Sequence, residues 1–410
     1  GFIEAGSGGK VVKIGGCNIA IYVGNDVAKV SEVDSDVDFV VNLNARRYGK
    51  GLLSSRYELM QRMTYRLGRN IILVNQLGGS GDLVYDGMSG VMNRNSKLEL
   101  ILKDFEEDFR IYDTAANYAE MDAPFTSYEH RTHMLYRAAC LGLRDYFLKS
   151  GYTKACVGLS GGIDSSVVAC LAVGALGKEN VKGLMMPSQF SSDNSVEDAK
   201  LLANNLGIEY SVLPITAAYS AIMDTLKPVT GGTSFDATEE NIQSRIRTVL
   251  LMALQNKDGY MLLNCSNKSE NAIGWTTLYG DTAGAFSVTG DLYKSEIYDL
   301  ARYINQNFDD VIPECILKKE PTSELHPNQK DSDILPPYEV VDAILMRMIE
   351  QGQHREEIIN AGFDSEVVEK IHAMIMKNEK KRYQFPPVLR LSACAFGHER
   401  LMPLINKYGD

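Results

Sequence analysis

The chain has 410 residues, more than one hydrophobic core usually serves, so two domains are expected. Its 45% hydrophobic and 23% charged composition is that of a soluble globular protein, and no apolar run reaches the roughly 18 residues of a membrane span. The net charge of −11 disfavours a general nucleic-acid binder while leaving room for a local basic pocket, and seven cysteines with no Cys-x-x-Cys pair argue against structural zinc or a disulfide framework and fit a reducing cytoplasm.

Gly1 to Gly16 is glycine-rich and begins abruptly, as if the start of a domain were missing. Apolar runs at Asn18–Val23, Phe39–Leu43 and Ile71–Asn75 predict strands, and the amphipathic stretch Leu52–Leu67 predicts a helix between the last two. Asn75 to Gly79 and Asp82 to Gly87 read as a strand end and a hairpin with a glycine turn. Phe105–Tyr118 is acidic and irregular, and Asp122-Ala123-Pro124 reads as a linker, giving a first domain over 1–122 and a second over 123–410.

Tyr128–Lys149 predicts one helix, with Leu135, Ala139, Leu143 and Phe147 at every fourth position. It leads into a buried strand, Ala155–Leu159, then Ser160-Gly161-Gly162, then the apolar, alanine-rich helix Val167–Leu176. Two glycines allow a tight turn close to a ligand, and the hydroxyls and free N–H groups at the helix start favour an anion. Asp164 in this cradle would repel a bare phosphate, so a bridging Mg²⁺ is the natural resolution. The spacing is not that of a Walker A loop. Strands at Val181–Met186, Glu209–Ile215 and Met261–Cys265 alternate with helices at Ser195–Leu206 and Glu239–Gln255. That rhythm predicts a doubly wound parallel sheet of α/β class, with ligands at the carboxyl ends of its strands.

Gly158 to Ser166 resembles the pyrophosphate loop of ATP pyrophosphatases, which split ATP into AMP and pyrophosphate while adenylating a substrate. From about Tyr128 to Asn406 the chain resembles the synthetase domain of glutamine-dependent NAD⁺ synthetase. The resemblance rests on Met186-Pro187-Ser188, Asn241 to Arg245, Ser266 to Glu270, Leu278 to Asp281, Gly290 to Lys294, Glu320 to Leu325, Leu335 to Tyr338 and Lys381 to Pro386, in shared order. It implies ATP-dependent amidation of nicotinic acid adenine dinucleotide (deamido-NAD⁺) to NAD⁺ through an acyl-adenylate, with free ammonia or glutamine as nitrogen source. It implies that Gly158, Leu159, Ser160, Gly161, Gly162, Ile163, Asp164, Ser165 and Ser166, with Arg245 and Ser266, bind ATP and its pyrophosphate. Asp164 and Glu270 would hold Mg²⁺, with Asn241, Glu270 and Lys381 on the dinucleotide side and Asp281 and Lys294 at the reaction centre. Arg245 and Arg247 lie two apart on a predicted helix and so on different faces; Arg245 is the one that matches the family motif. Trp275, the single tryptophan, is left between packing and the nicotinate ring, Lys381 and Arg382 between solvent and a polyanionic substrate, and the six histidines read as structural. The family's synthetase domain pairs as a dimer, so a homodimer or higher homo-oligomer is expected, with no nucleic acid and no membrane partner. The alternatives are another ATP pyrophosphatase-type amidotransferase, or an ATP-binding regulatory module without turnover.

Val41 to Ala45, with the two hairpin segments, resembles a nitrilase-type glutaminase, in which they lie in the second half of a four-layer α/β sandwich. That family works through Glu, Lys and Cys. The Glu and Lys belong to a first half that these 410 residues do not contain, and Gly24, in Tyr22-Val23-Gly24-Asn25-Asp26, stands where the Cys belongs. Cys17 lies too far upstream to replace it. The expectation is a partial nitrilase-like sandwich used for packing or assembly, and a protein fed by free ammonia.

Overall fold

A computed structural model describes residues 8–121, 128–230, 235–327 and 329–404, and the chain divides into two compact units between Gly142 and Leu143. The predicted linker, Asp122 to Pro124, lies outside the described residues. Among those described, no helix is long and apolar enough to cross a membrane.

The first unit begins with β1 (Lys10–Ile14), β2 (Cys17–Val23), the single turn α1 (Asp26–Lys29), β3 (Phe39–Asn44), α2 (Leu52–Leu67) and β4 (Asn70–Asn75). It continues with the hairpin β5 (Leu77–Ser80) and β6 (Leu83–Asp86), then β7 (Gly90–Met92) and β8 (Leu98–Ile101). One six-stranded sheet runs β1-β2-β3-β4-β7-β8; β2, β3 and β4 are parallel, and the outer pairings are antiparallel. Helix α2 buries Leu53, Tyr57, Met60, Met63 and Leu67, the face that its apolar spacing predicts. Buried beside them, Arg56 makes a two-pronged pair with Asp86 at 2.7 and 2.9 Å. Removing either partner would strand a buried charge, a loss of about 3–5 kcal/mol.

Helix α3 (Tyr128–Ser150) carries the four expected buried positions, Leu135, Ala139, Leu143 and Phe147. The second unit then runs β9 (Ala155–Gly158), α4 (Ile163–Leu176), β10 (Val181–Met185), α5 (Asp193–Leu206), β11 (Glu209–Val212), α6 (Thr216–Thr230), α7 (Ala237–Asp258), β12 (Met261–Asn264), α8 (Lys268–Ile273), β13 (Phe286–Ser287) and α9 (Lys294–Asn307). The rest is helical: α10 (Glu314–Lys318), α11 (Tyr338–Ile349), α12 (Arg355–Asn360), α13 (Ser365–Lys377) and α14 (Glu379–Arg382). Its sheet is wholly parallel, in the order β11-β10-β9-β12-β13. Counted in chain order the strands stand 3-2-1-4-5, so the winding reverses between β9 and β12. A crevice opens at the carboxyl ends there, where such sheets bind ligands. Helix α4 is buried from Val167 to Ala172 without a polar stripe, as its composition requires. Helix α6 and the terminal helices are additions to the predicted elements, and β11 ends at Val212 rather than Ile215.

Candidate active site

The loop between β9 and α4 is built around its glycines. Gly161 has φ +76, and a Cβ there would meet the Ser195 carbonyl oxygen at 2.2 Å, so no side chain fits. Gly162 caps α4 without a side chain. Ser165 and Ser166 turn back into the loop and donate to the Gly162 carbonyl at 3.1 and 2.8 Å, and Ser160 Oγ lies 3.1 Å from Ser165 Oγ. The amides at the start of α4 therefore face the crevice with hydroxyls beside them, an anion cradle at the positive end of a helix dipole.

Across the switch point, β12 delivers Asn267 and Glu270 on the first turn of α8. These two form a reciprocal cap: Glu270 N donates to Asn267 Oδ1 at 2.9 Å, and Asn267 N to Glu270 Oε2 at 3.4 Å. The Asn267 amide also donates to Asp164 Oδ1 at 2.8 Å, which ties the two strand ends together. Lys294, at the start of α9, donates to Asp164 Oδ2 and lies 3.5 Å from Glu270 Oε1. Burial, with Asp164 beside it, pushes Glu270 up to about 8. Burial works against the charge on Lys294, but the two carboxylates outweigh it and hold the ammonium protonated. Two half-buried acids thus converge on one cation.

Two cavities meet at this point. One, of about 290 Å³, is lined by Gly158, Leu159, Ser165, Arg247, Ser266 and Asp281. The other, of about 110 Å³, is lined by Gly162, Ile163, Lys294, Lys319 and Asp331. Ser160, Asp164, Glu270 and Thr322 to Glu324 line both. Ser266 is fixed by Asn264, which accepts from its amide at 3.0 Å, and its hydroxyl donates to the Asp281 carbonyl at 3.3 Å. The Asp281 carboxylate accepts from Thr277 N, and desolvation in the cleft raises its pKa.

Arg245, Asn241, Lys381, Arg382 and Trp275 stand apart from the cavity walls. Arg245 is exposed and donates to the Leu278 carbonyl at 3.1 Å; Arg247 is the arginine that lines the larger cavity, donating to the Met186 carbonyl at 3.0 Å. Burial lowers Arg247 to about 10. The motif position and the inward face are two residues apart, on opposite sides of α7. Asn241 accepts from Thr277 Oγ1 at 2.6 Å, and so holds the turn that carries Asp281 rather than lining either cavity. Lys381 donates to the Gly274 and Thr276 carbonyls at 2.7 and 2.6 Å, and Arg382 to the Ala272 carbonyl at 2.6 Å, so both basic residues close the end of α8. Trp275 packs beside the cluster around Ile344 and Ile371.

The structure gives roles to two residues that the sequence reading named only within longer motifs. Asn267 links both carboxylates; its Asn-x-x-Glu spacing is a capping-box signal that could have been read. Glu324, at φ +47, accepts from Ser192 Oγ at 3.0 Å and from Lys319 at 3.2 Å, bringing a distant loop over the cradle. No local signal announces that contact.

Residues 135–385 match the NAD synthase family model. The chain is 43% identical over 378 residues to the glutamine-dependent NAD(+) synthetase of Synechocystis sp., covering 92% of this chain and 68% of that one. It is 39% identical over 442 residues to the Thermotoga maritima protein of the same name, covering 98% and 76%. Among solved structures, the glutamine-dependent NAD+ synthetase of Acinetobacter baumannii, in complex with ADP, aligns with a TM-score of 0.70 at 35% identity, covering 99% and 76%.

Proposed function

The chain belongs to the glutamine-dependent NAD(+) synthetase family, and from that premise we propose that the crevice at the sheet's reversal point is where its substrates are joined. The reaction is the ATP-dependent amidation of deamido-NAD⁺ to NAD⁺. The nicotinate carboxylate attacks the α-phosphorus of ATP, pyrophosphate leaves, and ammonia then displaces AMP from the acyl-adenylate. In this reading ATP occupies the larger cavity and the dinucleotide's carboxylate enters from the smaller one. The observation that carries it is the convergence of Asp164 and Glu270 on one cation where the two cavities meet.

The α4 amides, Ser160, Ser165 and Ser166 receive the leaving pyrophosphate, where fixed donors meet developing negative charge without reorganising. Gly158 to Ile163 lets the backbone approach the phosphates, and Ser266 and Arg247 bind on the β12 and α7 sides. Lys294 keeps its proton and neutralises charge at the reaction centre, and Asp281 faces that centre from the Thr277 turn. Asn241 and Lys381 act as positioning residues for the loop between α8 and Asp281. The donor set fits magnesium: two carboxylates already share a cation here, and Mg²⁺ takes one or two protein carboxylates with the rest of its oxygens from phosphate and water. Bound by Asp164 and Glu270, it would supply charge neutralisation for the pyrophosphate. We assign this chemistry to the domain from residue 123 onward, and propose a cytoplasmic homodimer or higher homo-oligomer. The seven cysteines, with no Cys-x-x-Cys pair among them, support a reducing compartment.

The test is product analysis with ATP, magnesium, ammonium and deamido-NAD⁺. NAD⁺, AMP and pyrophosphate should appear in equal amounts, and Lys294→Met should abolish all three together. Release of ADP in place of AMP would refute the reading.

A further inference from the structure

Consecutive backbone amides open α9, the helix that carries Lys294, and each meets a different side chain. Tyr293 N donates to Glu296 Oε2 at 3.0 Å, Lys294 N to Ser269 Oγ at 2.9 Å, and Ser295 N to Asp342 Oδ2 at 2.8 Å. The residue before the helix is aromatic and supplies no side-chain cap, so two of these acceptors come from other elements. Ser269 lies on α8, directly before Glu270, and Asp342 lies on α11.

Ser269 and Asp342 are joined to each other. The Ser269 hydroxyl donates to Asp342 Oδ1 while its oxygen accepts from Lys294 N, so one carboxylate fixes the start of α9 directly and the first turn of α8 through that hydroxyl. Both side chains are buried, and the negative charge of Asp342 sits at the positive end of the α9 dipole. The position requires two acceptors. An asparagine offers one oxygen, and its NH₂ would face either the Ser269 hydroxyl or the Ser295 amide, so one donor must move. Helix α8 has six residues, a length that is marginal by itself. A separate tie, from Lys268 N to the Leu292 carbonyl at 2.7 Å, holds the turn before α9, so the fold does not hang on Asp342 alone.

We propose that Asp342 is a positioning residue for the synthetase reaction: through Ser269 and the start of α9 it sets the separation between Glu270 and Lys294. The inference rests on the reading of the crevice as the site of adenylation. Glu270 Oε1 and Lys294 Nζ stand 3.5 Å apart, with Asp164 on the same ammonium, and such a constellation loses rate steeply when a member is displaced by about 1 Å. The ATP side is built by other elements, the loop before α4 with Ser266 and Arg247, so Asp342 governs turnover rather than ATP binding.

The experiment compares Asp342→Asn with wild type in two measurements: kcat for ammonium-dependent NAD⁺ formation, and equilibrium binding of ATP with magnesium in the absence of deamido-NAD⁺. Asp342→Asn should lower kcat at least about tenfold, while the ATP bound per chain and its Kd stay within about twofold. Ser269→Ala, which removes the linking hydroxyl with little change in volume, should lower kcat in the same way. A merely structural role acts on the fraction of chains that are folded, and would lower bound ATP and kcat in the same proportion. That proportional loss, or a kcat within about twofold of wild type in Asp342→Asn, would overturn the proposal. Should Asp342→Asn fail to fold, Ser269→Ala decides by the same two criteria. A wild type that forms no AMP would refute the reading of the crevice, and the proposal with it. A wild type that turns over beside an unaffected Asp342→Asn refutes the proposal alone.

Discussion

Replacing Lys294 by methionine removes the cation that Asp164 and Glu270 share while keeping the length and much of the volume of the side chain. The Lys294 side chain is 4% exposed, and its two acids are 19% and 17% exposed, so a buried ammonium is held between two half-buried acids. Stranding a buried charge costs about 3–5 kcal/mol, and because burial already favours the protonated form of Glu270 the loss should sit at the low end, about 3 kcal/mol. In a unit of this size that lowers Tm by roughly 6–12 °C. Magnesium should return much of the loss in Lys294→Met, because a divalent ion replaces the missing charge on the same two carboxylates. It should stabilise wild type less, because Lys294 competes for those oxygens. The pH dependence has a definite sign. Glu270 has its folded pKa raised to about 8, so its contribution is fully present below the ordinary carboxylate range and is lost as pH rises through about 8. Without Lys294, whose charge lowers it, the Glu270 pKa rises further in the variant, so the metal-free variant should weaken as pH climbs above about 8, and the magnesium rescue should grow there. The assay is calorimetric unfolding at about pH 6 and about pH 9, with and without magnesium. An unchanged Tm in Lys294→Met, or a loss that magnesium leaves untouched, would show that the carboxylate pair does not behave as a cation site.

Asp164→Asn and Glu270→Gln should keep the fold and slow magnesium-dependent adenylation by about 2–3 kcal/mol, read as AMP release. Arg247→Ala should raise KM for ATP at least about tenfold, and Arg245→Ala should leave it within about twofold, since the first lines the cavity half-buried and the second is exposed. Glutamine should give no rate above contaminating ammonium, because Gly24 offers no nucleophile at the end of β2. NAD⁺ formation after enzymatic removal of ammonium, with glutamate released in step, would contradict that expectation.

The parts legible in the sequence are those that local chemistry determines. A buried strand, Ser-Gly-Gly and an alanine-rich helix placed the anion loop, and the strand–helix rhythm placed the crevice at the carboxyl ends of a parallel sheet. Helix α2 keeps the boundaries Leu52–Leu67 because both its apolar face and its flanking glycines are local signals. What was not legible depends on which way a face turns. Spacing shows that Arg245 and Arg247 point apart, but not which one meets the cavity; that is set by α7 packing Ile242 and Ile246 into the core. Lys381 and Arg382 look like a solvated basic tail until α14 is seen to close the end of α8, with its donors committed to carbonyls. The contact of Glu324 with Ser192 and Lys319 is likewise tertiary. Strand β11 is shorter than its apolar run because Leu213 and Ile215 leave the ladder, their amides donating singly to the Met185 and Pro187 carbonyls.

The most direct test of adenylation in the crevice follows oxygen. Deamido-NAD⁺ carrying ¹⁸O in both nicotinate carboxylate oxygens is turned over with unlabelled ATP, magnesium and ammonium. Attack of that carboxylate on the α-phosphorus forms the bond to AMP, and ammonia then breaks the bond between the acyl carbon and the bridging oxygen. One label should leave in AMP and one should remain in the amide of NAD⁺, with none in pyrophosphate. Label in inorganic phosphate, or unlabelled AMP alongside labelled water, would contradict the account.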